Sequence, residues 1–99
     1  MVKINVLSSG SSGNAIVIET EKNSILIDDG LSFKKLNELF EREKISFKKL
    51  EALIVSHEHK DHISGIKTLL KKRGLPVFVS DCVAQFIPFP KNFDSLINF

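Results

Sequence analysis

An α/β fold with α+β character at its start, built from about five strands and two to three helices, is predicted for this chain of 99 residues. Three observations carry the prediction. Short runs rich in β-branched residues open the chain, separated by turn residues. Two amphipathic stretches with helical spacing follow, the second closing on Gly74 and Pro76. From Ser24 onward strands and helices alternate, an order that calls for some parallel pairing.

The elements follow in turn. Val2 to Leu7 begins with apolar and polar residues in alternation and reads as a strand. Ser8-Ser9-Gly10-Ser11-Ser12-Gly13-Asn14 is a loop of small residues. Ala15 to Thr20 is a second strand, and Glu21-Lys22-Asn23 a polar turn. Ser24 to Asp28 is a third strand, apolar enough to predict burial on both faces. These three form the start of an antiparallel meander. Asp29-Gly30 breaks the pattern, and Ser32 can cap a helix to about Lys44 with Phe33, Leu36, Leu39 and Phe40 as its buried stripe. Leu53 to Ser56 is a fourth strand. A second helix starts at His62, placing Ile63, Ile66, Leu69 and Leu70 on one face and Lys71, Lys72 and Arg73 in its last turn, where cations suit the helix dipole. Pro76 to Ser80 is a fifth strand, Asp81 can cap one more short helix, and the tail from Pro88 has no period.

Composition bounds the function. Apolar residues make up 42% of the chain, and a chain this short leaves much of its surface in water. A net charge of +2 and a pI near 8.8 lean basic without reaching the balance of a dedicated nucleic-acid module. One cysteine, Cys82, excludes an internal disulfide, reads as a small buried hydrophobe and fits a reducing cytoplasm. The start, Met1-Val2-Lys3-Ile4-Asn5, has no long apolar run and predicts neither a signal peptide nor a membrane span.

The chemistry is concentrated in His57-Glu58-His59-Lys60-Asp61-His62, which holds all three histidines of the chain. Imidazoles and a carboxylate packed this closely point to a cation between them, Zn²⁺ above all, with Mn²⁺ or Fe²⁺ accepting the same donors. His57 and His59 are two apart, so on an extended backbone they project the same way and can grip one ion. Asp61 and His62 come as the chain turns into the helix and can face a second ion; Glu58 and Lys60 point outward. Two ions about 3.5–4 Å apart would activate water and clamp the oxygens of the bond being cut. The string sits at the carboxyl end of a strand, where open α/β sheets place their sites. The helical zinc-protease motif fails because its fifth position is Asp61, and a cysteine-based zinc site fails for want of cysteines. The Ser/Gly loop lacks the lysine of a P-loop and the spacing of a dinucleotide fold. A plain hairpin loop is its simpler reading; if it lines the site, Ser11, Ser12 and Asn14 offer small polar groups at the substrate edge. The pairs Lys34-Lys35, Lys48-Lys49 and Lys71-Lys72 can guide DNA phosphates, although such pairs are more often solvated helix faces.

Histidine, any residue, histidine, any residue, aspartate, histidine is the signature of the metallo-β-lactamase-fold hydrolases. His57, His59, Asp61 and His62 resemble it at every fixed position. Asp28, before Asp29-Gly30, resembles the family's upstream aspartate, which supports the metal loop from behind the ligands, and Gly65 falls where the family has a glycine. Ser9-Gly10-Ser11-Ser12-Gly13-Asn14 is similar to the N-terminal loop of a bacterial branch associated with DNA exonuclease activity. The resemblance covers about residues 1 to 82. It implies the N-terminal half of a four-layer αββα sandwich and a hydrolase with a binuclear metal site. His57, His59, Asp61 and His62 would be ligands, Asp61 also the catalytic residue, and DNA the substrate, with other esters, thioesters and amides open on a fold that hosts many chemistries.

The family's later segments supply further histidines and a bridging aspartate. This chain has no histidine after His62, and Asp81 and Asp94, its only later aspartates, do not match the downstream context. Residues 1–99 therefore read as one partial domain: a fragment, a truncated product, or half of a two-chain enzyme whose second polypeptide supplies the rest. The rival class is a non-catalytic metal-binding or interaction module acting through the sheet face that the missing half would cover.

Overall fold

The computed structural model describes residues 1–57, 59–91 and 93–98, the last by its backbone alone, so the reading of Glu58 lies outside the described residues. β1 (Lys3–Ser8), β2 (Ala15–Glu19) and β3 (Ser24–Ile27) form the antiparallel meander. β3, β4 (Leu50–Ile54), β5 (Val77–Val79) and β6 (Leu96–Asn98) then pair in parallel, giving one sheet in the order β1-β2-β3-β4-β5-β6. α1 (Phe33–Arg42) joins β3 to β4, α2 (Lys60–Ile63) and α3 (Ile66–Lys72) join β4 to β5, and α4 (Asp81–Ala84) precedes β6. Ser32 caps α1 as its position predicts, its Oγ accepting the Lys35 N–H at 3.1 Å.

Several local expectations are corrected. A sixth strand lies in the tail that showed no period; three residues are too few to show one, and β6 exists because Val77, Phe78 and Val79 give Leu96, Ile97 and Asn98 a parallel edge. β4 starts at Leu50 rather than Leu53, since its first residues pair with Ser24 and Ile25, partners that no local pattern announces. The helix expected from His62 begins at Lys60 and breaks at Ser64-Gly65, where the Gly65 N–H is drawn to Asp29 O at 2.9 Å. Ser80, not Asp81, occupies the position that caps α4. Cys82 is exposed, because α4 turns Val83 and Ala84 toward the core instead.

The two faces of the sheet have opposite fates. Val17, Leu26, Leu53 and Val77 lie side by side across four strands and are fully buried under the helices, beside Leu36, Phe40, Ile66 and Leu69. Burying each such side chain is worth roughly 1.5–3 kcal/mol. On the other face one row, Val6-Ile16-Ile27-Ile54-Phe78-Ile97, crosses all six strands, and no residue of it is buried. β3 is thus buried on one face only, which corrects the expectation from its composition. An apolar row of this extent drives association. The purified chain is expected to self-associate, and Val6→Lys combined with Ile18→Glu, two residues along β2 from Ile16 and so on the same face, to shift it toward monomer with little change in unfolding midpoint. Sedimentation velocity and urea denaturation check both; a monomeric wild-type chain contradicts the expectation. Among the described residues no helix is long and apolar enough to cross a membrane.

Candidate metal centre

Asp28 marks the point where β3 leaves the sheet. Its N–H still donates to Ile54 O at 2.8 Å, extending the ladder, but its φ is +63°. Few residues tolerate that left-handed backbone, and aspartate is one of the better ones. The turn brings its carboxylate to the residues that follow β4. Oδ1 accepts the Ser56 N–H at 2.7 Å, Oδ2 accepts the Ser56 hydroxyl at 2.6 Å, and His62 Nδ1 lies 2.7 Å from Oδ2. With three donors already on it, and 5% exposed, Asp28 suits an orienting role better than a ligating one.

Backbone bonds lock the histidine loop from two sides. Asp29 N–H donates to His62 O at 2.9 Å, and Asn14 N–H donates to Asp61 O at 2.6 Å. The Asn14 amide Nδ2 donates to Asp61 O and to Asp61 Oδ2, both at 3.0 Å, while Gly30 N–H donates to Asn14 O at 3.0 Å. The Ser/Gly loop is therefore tied to the loop that carries the histidines. Ser11 and Ser12 stand exposed on its turn and make no side-chain hydrogen bond among the described residues.

The rings gather on the outer side of this frame. His57 and His62 stack with centroids 4.3 Å apart, and His59 lies 5.6 Å from His57. Asp61 Oδ2 is 3.7 Å from His62 Nε2. Donor atoms of Asp28, His57 and His62 all fall within 4.8 Å of one another. His57 and His59 are exposed, and Asp61 and His62 half-buried. The donors thus open to solvent on one side and are braced on the other. Imidazoles and a carboxylate so placed match the chemistry of a divalent cation, and the residues fit that group.

Two contributors carry no sequence signature of their own. Ser56 reads only as the end of a strand, and the one available hint is its hydroxyl beside the first histidine. Asp29 reads as a turn residue, yet it is fully buried, with Oδ1 accepting the Leu31 N–H at 3.2 Å and Oδ2 without a partner among the described residues. Burial pushes its carboxyl up from 3.8 to about 7, opposed by the Leu31 hydrogen bond.

Residues 9–83 match the metallo-beta-lactamase superfamily, and the chain belongs to that family. Exodeoxyribonuclease WalJ of Streptococcus pneumoniae serotype 2 (strain D39 / NCTC 7466) is 39% identical over 79 residues, covering 80% of this chain and 29% of that protein. Exodeoxyribonuclease YycJ of Bacillus anthracis is 38% identical over 77 residues, covering 78% of this chain and 29% of its own length. Among solved structures, the peroxy diiron species of the chemotaxis sensor ODP superposes with a TM-score of 0.79 at 21% identity, over 99% of this chain and 40% of that one. A metallo-beta-lactamase of Cronobacter sakazakii (HARLDQ motif mutant) superposes with a TM-score of 0.71 at 24% identity, over 88% and 41%. Those two likenesses concern the fold. The chain spans 29% of the length of the curated relatives named here, so what it carries is a partial domain of the family fold.

Proposed function

We propose that this chain is the metal-bearing part of a metal-dependent hydrolase that cuts phosphodiester bonds in DNA from an end. The observation that carries the reading is the gathering of His57 and His62 over the buried Asp28, with Asp61 tied beside them by Asn14 and the His59 ring next to that of His57. Similarity to two exodeoxyribonucleases supports the substrate class. His57 and His59 would hold one cation, Asp61 and His62 a second, with zinc favoured by the donor set and manganese or iron accepted by it. Such cations supply hydroxide near neutral pH and offset the negative charge that develops on the phosphate. The chain's own groups do the rest. Asp28 holds the His62 ring through Nδ1, so that Nε2 points toward Asp61. Asn14 holds the Asp61 carboxylate by one oxygen, and with Ser11 and Ser12 it borders the side from which substrate would approach. Asp61, the one carboxylate among the ligands, is the candidate catalytic residue. The setting is a cytoplasm, where the exposed Cys82 stays reduced.

The second reading is a metal-binding or interaction module that needs a second polypeptide. Its support is the uncovered apolar row on the sheet. One experiment separates the two. Metal bound to the purified chain is measured by mass spectrometry, and duplex DNA labelled at a 5′ end is offered as substrate. Bound metal with turnover that disappears in His59→Ala supports the hydrolase. Bound metal without turnover supports the module, and a chain that takes up neither zinc nor manganese overturns both.

A further inference from the structure

We propose that Ser56 is a positioning residue that sets the imidazole tautomer of His57, keeping the proton on Nδ1 and the lone pair on Nε2. As a statement about the metal centre it rests on the reading above, but the tautomer itself is a property of the chain without metal.

A proton count carries it. Ser56 Oγ lies 2.6 Å from Asp28 Oδ2 and 2.7 Å from His57 Nδ1. A serine hydroxyl has one proton to give and lone pairs with which to accept, whereas a carboxylate oxygen only accepts. The hydroxyl proton therefore goes to Asp28, and the contact on the other side of Oγ is satisfied only by an N–H from His57 Nδ1. The same count applies at His62, whose Nδ1 lies 2.7 Å from the same Asp28 oxygen. One buried carboxylate thus orders two rings, His62 directly and His57 through the serine. Both rings are left with an unprotonated Nε2, that of His62 lying 3.4 Å from the Asn14 amide nitrogen. In a neutral imidazole the hydrogen bond made by one nitrogen decides which nitrogen is left for a cation. Asp28 makes no hydrogen bond to His57, and Ser56 provides the only side-chain hydrogen bond of that ring among the described residues. Ser56 also links its neighbours through its backbone, donating its N–H to Asp28 Oδ1 at 2.7 Å. That bond survives loss of the hydroxyl, so the loop has a means of keeping its path when the side chain is truncated.

The test reads the tautomers by nitrogen–proton correlation NMR of the histidine rings in the full chain, without metal, at about pH 8. Wild-type His57 and His62 are expected as the Nδ1–H form. In Ser56→Ala, His57 is expected to move to a mixture led by Nε2–H while His62 stays unchanged, and Ser56→Thr is expected to restore His57. Zn²⁺ alone, titrated against a chromophoric chelator, gives a second readout: Ser56→Ala weakens binding by about 10–100-fold, the range for loss of a group that orients a ligand, and Ser56→Thr recovers it. His57 found as Nε2–H in the wild-type chain overturns the proposal, and that measurement needs no variant to fold. Ser56→Ala with the His57 tautomer unchanged overturns it too. A wild-type chain that shows Nδ1–H at His57 yet binds no Zn²⁺ upholds the role of Ser56 and overturns the metal reading instead.

Discussion

Gly65→Ala is expected to unfold the chain. A Cβ at this position would overlap the Leu31 carbonyl oxygen and come within 2.8 Å of both carboxylate oxygens of Asp29. Neither obstacle can swing aside. The first is backbone, and the second belongs to a side chain that is fully buried. The Gly65 N–H also donates to Asp29 O at 2.9 Å, so the two segments cannot part without losing that bond and straining the neighbouring one from Asp29 N–H to His62 O. Overpacking against fixed backbone belongs to the rare class of substitutions costing more than about 4 kcal/mol. A small domain has a total of about 5–15 kcal/mol to lose, and less when one sheet face is uncovered. Gly30→Ala meets the Asp61 carbonyl in the same way and should behave alike. Gly74→Ala, where nothing lies within 4 Å, is the matched control and should unfold near the wild-type midpoint. Urea denaturation followed by circular dichroism reads all three; a Gly65→Ala chain as stable as Gly74→Ala would mean that Gly65 and the segment from Asp29 to Leu31 do not approach as described.

Stability of the metal-free chain should fall as pH rises from 5 to 8, and Asp29→Asn should remove most of that slope. Burial raises the Asp29 carboxyl from 3.8 to about 7 in the folded state. Between those values the folded chain holds a proton that the unfolded chain has released. Stability therefore declines with pH across the window, and the full penalty is in place above about pH 7. A shift of this size corresponds to about 4 kcal/mol. Asparagine keeps the oxygen that accepts the Leu31 N–H and carries no charge to desolvate, so the variant should gain on the wild type most at pH 8 and least at pH 5. Thermal unfolding at both pH values, with a chelator present, decides the matter. Wild-type stability that climbs between pH 5 and pH 8 would contradict the assignment of a buried carboxyl whose charge is poorly compensated.

The loop proposed to hold the metal was visible in the sequence because its pattern is local. His57, His59, Asp61 and His62 announce a cation by residue type and spacing alone, and the apolar run of β3 locates Asp28 at a strand end without any knowledge of its neighbours. The periodic helices and the first three strands were legible for the same reason. Ser56 was not, because its role depends on a carboxylate 28 residues away reaching it through a left-handed turn. Asp29 was not, since a turn-forming aspartate and a buried one look alike until Gly65 closes over it. Cys82 misled because burial of a short helix residue is set by which way the helix faces, and three residues of β6 carry no pattern of their own.

Spacing and side-chain chemistry, both written into consecutive residues, settled that the chain builds an α/β sheet of this family with a histidine-rich loop at a strand tip. The folded arrangement alone decided which face of that sheet stays bare, which carboxylate braces the rings and which is buried away from water. Each of these is a relation between segments distant in sequence, and hydrogen bonds and burial across such distances exist only once the strands have met.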